Sequence, residues 1–125
     1  MVARELLASP REVAVLHGDI HHGNILDFGE RGWLAIDPKG LLGERAFDFV
    51  NILRNPVEGE TIAFAPGRLA RQTRVIAEAA ELEGARLLQW TVAFTALSAA
   101  WVLADGKSPD LHFAVADIAL SELSK

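Results

Sequence analysis

The sequence predicts a helix-rich α+β domain in which one β-hairpin packs on about four helices. Two observations lead to this class: short apolar runs separated by glycines precede Asn55, and long helical patterns follow it. The chain has 125 residues, of which 50% are hydrophobic and 23% charged, as expected of a single globular domain over residues 1–125. A lone hairpin is marginal in water, so the helices must cover it.

The strand segments come first along the chain. Residues 13–16 are a short run of β-formers and predict a strand, whereas the polar, glycine-containing residues 17–24 predict a loop. Residues 25–36 predict a β-hairpin around the glycine-bearing turn 29–32. Pro38 follows directly and lacks a backbone N–H, so the second strand of the hairpin should end there.

Four helices are expected after the hairpin. They are predicted over residues 45–54, from Pro66 to about Glu83, from Ala85 to about Leu103, and from a cap at residues 108–110 to about Leu123. Asn55 and Pro56 should end the first helix and Gly84 the second.

The third predicted helix is strongly apolar. Its large side chains recur at spacings of three and four and predict one core-facing side, formed by Leu87, Trp90, Phe94, Leu97 and Trp101. We expect the remaining tryptophan, Trp33, to lie in the core as well. The apolar run is at the short limit for a membrane span and is followed by an acidic residue. A buried core helix is therefore favoured, with membrane contact as the alternative.

Composition excludes several classes of protein. Twelve Lys and Arg stand against 17 Asp and Glu, giving a net charge of -5, which argues against an electrostatic nucleic-acid binder. The absence of cysteine excludes disulfides, thiol catalysis and Cys-ligated metal centres. Residues 1–10 contain no apolar signal core, so we expect a cytoplasmic protein with no membrane partner.

Three polar side chains should converge at the start of the hairpin. Asp19 and Asn24 lie five residues apart on one loop, and Asp37 ends the hairpin that begins at this loop. Because a hairpin brings its two ends together, Asp37 should return close to Asn24. Such oxygen ligands suit Mg²⁺, which takes one or two carboxylates plus substrate phosphates. Asp19 would be free to accept a proton from an attacking hydroxyl, so the set predicts phosphoryl transfer.

These residues also carry a family resemblance. Residues 17–19, His-Gly-Asp, together with Asn24 resemble the HGDxxxxN catalytic loop of aminoglycoside phosphotransferases, the counterpart of HRDxxxxN in protein kinases. The wider runs 17–26, 33–40 and 54–56 look closer to the streptomycin 6-phosphotransferase and hydroxyurea phosphotransferase branch. The resemblance is most specific over residues 13–56 and is mainly one of helix pattern beyond them.

The resemblance implies a protein-kinase-like C-terminal lobe that uses ATP and Mg²⁺ to phosphorylate a small polar acceptor such as a streptomycin-like aminoglycoside. It implies that Asp19 is the catalytic base and that Asn24 and Asp37 are Mg²⁺ ligands. It further implies that Asp48 braces the loop through backbone amides and that His17 shapes the loop.

Two further side chains are candidates for contact with substrate or phosphate. They are His22 and Lys39; the alternative for the lysine is a solvated turn residue. His21 and His22 should not share a metal ion, because adjacent side chains on an extended loop point apart. Asp48 has a simpler alternative too, as part of a solvent-exposed polar stripe on its helix.

The sequence departs from the family in one respect. No glycine-rich loop followed by a lysine-bearing strand is found, so the N-terminal nucleotide-binding lobe is expected to be absent from these 125 residues. The alternative function is a non-catalytic remnant that acts as a binding or interaction module. The surface left by an absent lobe would then favour self-association.

Overall fold

The computed structural model describes residues 2–54 and 67–125. Within them the helices are α1 (Val2–Ala8), α2 (Val50–Arg54), α3 (Arg68–Ala80), α4 (Gly84–Ala104) and α5 (Asp110–Leu123). The strands are β1 (Val13–Leu16), β2 (Ile25–Asp27), β3 (Trp33–Ala35) and β4 (Leu41–Glu44). Short 3-10 turns cover His22–Asn24, Gly29–Arg31 and Arg45–Phe49. The predicted helix-rich α+β class is confirmed.

The strands form two separate antiparallel pairs. β2 and β3 make the predicted hairpin, with Ile25 opposite Ala35. β1 pairs with β4, with Val13 opposite Glu44 and Leu16 opposite Leu41. The expectation of a single hairpin was therefore incomplete, because β4 was not predicted. Its sequence, Leu-Leu-Gly-Glu, lacks both β-branched residues and a clear alternation, so only its pairing with a distant strand defines it.

The β1–β4 pair closes the base of a long excursion of the chain. The excursion, residues 17–40, leaves the end of β1 and returns to the start of β4. Two backbone hydrogen bonds hold it together: the Lys39 amide donates to the His17 carbonyl at 2.6 Å, and the Ile36 amide donates to the Asn24 carbonyl at 2.8 Å. These bonds thus hold the candidate site residues of the loop close to those at the end of the hairpin.

Gly18 lies where the two ends of the excursion pass each other. Its φ is +88°, and an added Cβ would lie 3.0 Å from Leu41 Cδ1 and 3.1 Å from the Lys39 Cβ. Gly29 also has a positive φ, +68°, but has nothing within 4 Å of such a Cβ. The close contact is therefore special to Gly18, whereas the backbone conformation is common to both.

Gly18→Ala is expected to destabilise the fold by about 1 kcal/mol more than Gly29→Ala. Both substitutions place alanine at positive φ, so the difference isolates the contact with Leu41 and Lys39. Urea unfolding of the two variants beside the parent chain measures it. Equal losses would mean that the two neighbouring side chains move aside at no cost.

The main core lies between the helices. Its buried members are Leu53, Leu69, Leu87, Leu88 and Ala119. They come from α2, α3, α4 and α5, and α4 is the central element because it also contacts α1 and the 3-10 turn before α2. Burial of these side chains follows the apolar patterning of the second half of the chain.

The buried side of α4 differs from the predicted one. It consists of Arg86, Leu87, Leu88, Thr91, Thr95, Ser98 and Ala99. The Thr91 hydroxyl donates to the Leu87 carbonyl at 2.9 Å and the Thr95 hydroxyl to the Thr91 carbonyl at 2.6 Å. These bonds satisfy the hydroxyls inside the helix, so residues that look polar in the sequence can face the core.

The predicted aromatic core is correspondingly only partly buried. Leu97 and Trp101, on the side of α4 expected to face the core, are 45% and 56% exposed. Trp33, also expected in the core, is 71% exposed at the end of β3. Trp90 and Phe94 are half-buried and make edge-on ring contacts with Phe47, with centroids 5.5 and 5.1 Å apart. The expectation that this side packs wholly inside was wrong.

α4 is the one helix in the described residues that is long and apolar enough to cross a membrane by length and composition. A core helix of a globular domain meets the same criterion. The contacts of α4 with α1, α3 and α5 favour the core-helix interpretation made from the sequence.

Several element ends were placed differently from the prediction. α1 was not predicted, and the predicted helix over residues 45–54 is a 3-10 turn followed by α2. α3 ends at Ala80 because Glu81 adopts a left-handed conformation, with φ 56°, and its amide donates to the Ala77 carbonyl. Gly84 is consequently the first residue of α4 rather than a stop signal. The proposed boundaries at residues 55, 56 and 66 lie outside the described residues.

A buried ion pair joins α4 to the β1–β4 pair. Arg86 Nε and Nη2 donate to the two Glu44 carboxylate oxygens, both at 2.7 Å, and Nη2 also donates to the Ser9 carbonyl at 2.7 Å. The Arg11 amide donates to Glu44 Oε1 at 2.9 Å. Burial by itself would raise the pKa of Glu44, but the hydrogen bonds from Arg86 and the Arg11 amide outweigh it and lower that pKa. The pair fixes the strands that frame the excursion.

Candidate active site

His17 ties the start of the loop to the end of the hairpin. Its Nδ1 accepts a hydrogen bond from the Asp19 amide at 3.2 Å, so the ring proton must be on Nε2. Nε2 lies 2.6 Å from the Ile36 carbonyl, to which it donates. The half-buried His17 imidazole thus links Asp19 to Ile36, the residue that directly precedes Asp37.

Asp48 binds the loop through its backbone. Its Oδ2 accepts the His17 amide at 2.9 Å and its Oδ1 accepts the Gly18 amide at 2.8 Å. Asp48 lies on the 3-10 turn Arg45–Phe49, which follows β4 directly. Both carboxylate oxygens are therefore engaged with the first two residues of the loop, and Asp48 is half-buried rather than on an open polar face.

Asn24 and Asp19 are in direct contact. The buried Asn24 Nδ2 donates to the Asp19 carbonyl at 2.9 Å and to Asp19 Oδ2 at 3.2 Å. The 3-10 turn His22–Asn24 makes this possible, because it reverses the loop and turns Asn24 back towards Asp19. The structure thus brings together the loop members of the predicted oxygen set.

The two adjacent histidines of the loop have different surroundings. His21 Nδ1 accepts the Gly23 amide at 3.0 Å, and His21 Nε2 lies 3.7 Å from Asp19 Oδ1. His22, the candidate chosen from the sequence, is exposed and makes no side-chain hydrogen bond or ion pair within the described residues. The histidine next to Asp19 is therefore His21, whereas the candidate selected from the sequence was His22.

Asp37 ends the excursion on the opposite side of the same small region. Its backbone has φ +57°, a conformation that costs a non-glycine residue of order 1–3 kcal/mol and that clusters at functional sites. Its side chain is 67% exposed, and its Oδ2 lies 3.7 Å from Lys39 Nζ. The same ammonium lies 4.0 Å from Asp19 Oδ2. Lys39 therefore stands between the loop carboxylate and the hairpin carboxylate.

The oxygen donors fit Mg²⁺ rather than zinc. Across residues 2–54 and 67–125, no three His, Cys, Asp or Glu side chains lie close enough together to hold a metal by themselves. Mg²⁺ does not need such a cage, because it commonly binds one or two carboxylates and completes its shell with waters and phosphate oxygens. The carboxylate of Asp37 and the amide oxygen of Asn24 are donors of this kind, and Asp37 is open to solvent.

An apolar groove of about 540 Å³ opens beside the loop. It begins at Gly18 and runs between α1 and α4, over the side chains of Leu7, Trp90, Phe94 and Trp101. Its large α4 side chains had been assigned to the core from the sequence, so their part in an open groove was not expected.

Comparison with known proteins places the chain in a family. Residues 1–106 match the aminoglycoside/hydroxyurea antibiotic resistance kinase family. The chain is 50% identical over 127 residues to a streptomycin 3''-kinase of Klebsiella pneumoniae. This match covers 99% of this chain and 47% of that protein. It is 34% identical over 103 residues to a streptomycin 6-kinase of Streptomyces griseus, covering 82% and 33% of the two chains.

A hydroxyurea phosphotransferase of Kitasatospora aureofaciens is 30% identical over 118 residues, or 93% of this chain and 32% of that protein. No solved structure matches the chain at a significant level. The chain thus spans about half the length of the first of these relatives and about a third of the other two. The family match covers most of the chain and confirms the resemblance seen in the sequence: the chain belongs to the aminoglycoside/hydroxyurea antibiotic resistance kinase family.

Proposed function

We propose that residues 1–125 form a kinase-like C-terminal lobe of an ATP- and Mg²⁺-dependent phosphotransferase whose acceptor is a hydroxyl of a streptomycin-like aminoglycoside. One observation carries the proposal. The excursion gathers Asp19, Asn24 and Asp37 into one region, through the Asn24–Asp19 hydrogen bonds and the shared proximity of Lys39. Relatives named as streptomycin kinases support the choice of acceptor.

Asp19 would be the catalytic base. It is held from its backbone, because its amide donates to His17 and its carbonyl accepts from Asn24, while its carboxylate is 30% exposed. The carboxylate would take the proton of the acceptor hydroxyl as that oxygen forms a bond to the γ-phosphorus of ATP. The bond from this phosphorus to the bridging oxygen breaks in the same transfer, and ADP leaves.

Asn24 and Asp37 would hold Mg²⁺, which when bound neutralises phosphate charge during transfer. Asn24 is buried and oriented by its bonds to Asp19, so its amide is held in place before any ligand arrives. Asp37 is exposed and has room for water and phosphate oxygens around it. His17 and Asp48 would position these groups through the loop backbone rather than take part in the chemistry.

The acceptor proposed here is a small cation. A net charge of -5 favours a cationic acceptor, as an aminoglycoside is at neutral pH. The names of the relatives cite two different positions of streptomycin. The hydroxyl used is therefore to be read from the product.

A non-catalytic interaction module is the second candidate, and one observation favours it. The apolar groove places Leu7 and Trp101, 74% and 56% exposed, on a surface next to the loop. Exposed apolar surface of this kind is typical of contact sites between proteins or lobes and would favour self-association.

The test measures transfer of labelled phosphate from ATP, with Mg²⁺, to streptomycin, other aminoglycosides and hydroxyurea. Transfer to streptomycin, with one phosphorylated hydroxyl identified by NMR, is the expected result. Binding of Mg²⁺–ADP by calorimetry provides a second reading: it is expected to be weak and to be lost in Asp37→Ala. Absence of transfer to every acceptor, together with nucleotide binding that is absent or insensitive to Asp37→Ala, would leave the interaction module.

A further inference from the structure

Lys39 occupies an unusual position in the candidate site. Its ammonium lies 3.7 Å from Asp37 Oδ2 and 4.0 Å from Asp19 Oδ2. Its backbone is anchored, because its amide donates to the His17 carbonyl at 2.6 Å. The lysine stem therefore starts from a fixed point beside the loop, and the charge ends between the two carboxylates.

Only one permanent positive charge pairs with these carboxylates within the described residues. His21 Nε2 is also near Asp19, at 3.7 Å, but the imidazole is charged only when protonated. Without Lys39 the pair of carboxylates would have no permanent counter-charge among the described ion pairs, and such a pair attracts a divalent cation.

We infer that Lys39 is a resident counter-ion of Asp19 and Asp37 that competes with the divalent cation for Asp37 and is released to the phosphate oxygens when the metal and nucleotide bind. Release of the ammonium to nucleotide phosphates rests on the proposed function, whereas competition between Lys39 and a divalent cation can be measured on the free protein. The exchange requires no covalent step. The ammonium moves from carboxylate oxygens to phosphate oxygens, both of which accept its hydrogen bonds.

The two halves of the inference have opposite consequences for one substitution. Lys39→Met removes the competing charge, so the free protein should bind a divalent cation more tightly. The same substitution removes a charge from the phosphate site, so nucleotide should bind more weakly. A lysine that only supports the fold would not tighten metal binding, because loss of structure weakens a site.

The test uses Mn²⁺ as the probe, followed by electron paramagnetic resonance on the complete chain without nucleotide. We expect Lys39→Met to bind Mn²⁺ roughly two- to thirtyfold more tightly than the parent chain, the range that follows from the loss of two half-exposed ion pairs. We expect the difference to shrink as salt is raised, because these groups face solvent. Lys39→Arg keeps the charge and should stay within about twofold of the parent.

Lys107→Met is the matched control, since it makes the same change of charge at an exposed position in the α4–α5 turn. It should leave Mn²⁺ affinity unchanged, which separates local competition from net charge. Mn²⁺ binding to Lys39→Met that equals or falls below that of the parent chain would overturn the inference, as would no detectable Mn²⁺ binding to any variant.

Calorimetry with Mg²⁺–ADP tests the second half. We expect Lys39→Met to bind Mg²⁺–ADP at least threefold more weakly, and unchanged binding would overturn the release to phosphate. Tighter Mn²⁺ binding, with no transfer to any acceptor and no nucleotide binding that depends on Asp37, would support the counter-ion and reject the catalytic proposal. Phosphate transfer with unchanged Mn²⁺ affinity would do the reverse, so the two failures are distinguishable.

Discussion

Asp19→Asn is expected to lower the rate of phosphate transfer by about 10²–10⁴-fold and to leave the fold unchanged. The amide has nearly the shape of the carboxylate but cannot take a proton from the acceptor hydroxyl. The main bonds that hold this part of the loop use backbone atoms of residue 19, namely its amide to His17 and its carbonyl to Asn24, and these persist in the variant. Steady-state transfer from labelled ATP to streptomycin measures the loss.

Asp27→Asn provides the control for this substitution. Asp27 lies at the end of β2 on the same hairpin and is exposed, and among the described residues its carboxylate accepts only the Gly29 amide, at 2.9 Å. The chemical change is the same, but transfer should stay within about twofold of the parent chain, as expected of a surface substitution. A base acts in the transition state, so Asp19→Asn should reduce kcat with little change in KM for ATP. Equal effects of the two substitutions would remove Asp19 from the chemistry.

The local part of the site could be predicted from the sequence for a physical reason. Glycine and proline punctuate residues 17–40, and the hairpin within them is a short-range structure set by its own turn. Once a hairpin is assigned, its ends must meet, which is why Asp37 could be expected near the loop that holds Asp19 and Asn24. The roles of these residues stay predictions, because proximity does not establish chemistry.

The parts missed by the sequence depend on contacts between distant segments. β4 is a strand only because the excursion brings Leu41 back beside Leu16. No local sequence pattern predicts that pairing. Lys39 was a candidate by type, yet its position between two carboxylates depends on the same return. The buried side of α4 was predicted wrongly for another reason. The hydroxyls of its threonines donate to carbonyls within the helix, so these polar side chains can be buried.

Another long-range feature is the buried pair between Arg86 and Glu44, residues 42 positions apart. Arg86→Met is expected to destabilise the fold by about 3–5 kcal/mol. The substitution leaves the Glu44 carboxylate, only 3% exposed, without its charged partner, and it also removes the bond to the Ser9 carbonyl. Urea unfolding at pH 7, followed by circular dichroism, measures the loss.

Arg11→Met is the matched control, because Arg11 forms a solvent-exposed ion pair. Its guanidinium lies 2.6 Å from the Glu83 carboxylate, and the two side chains are 56% and 63% exposed. An exposed pair contributes about 0–1 kcal/mol, and the Arg11 amide that binds Glu44 is retained in this variant. Similar losses in the two variants would show that burial of the Arg86–Glu44 pair adds nothing to stability.

The pH dependence distinguishes a lost ion pair from lost packing. In the parent chain the pKa of Glu44 is held below its ordinary value of 4.5, so its contribution to stability is present above about pH 4.5 and disappears as the pH falls through the lowered pKa. In Arg86→Met burial acts without the arginine and shifts that pKa upward, so protonation at low pH relieves the variant. The stability gap between the two proteins should therefore be largest at neutral pH, begin to narrow above pH 4.5 as Glu44 of the variant is protonated, and narrow further as the pH falls through the lowered pKa of the parent chain. A gap that stays constant from pH 7 to pH 4 would assign the loss to packing of the arginine stem and not to the charge on Glu44.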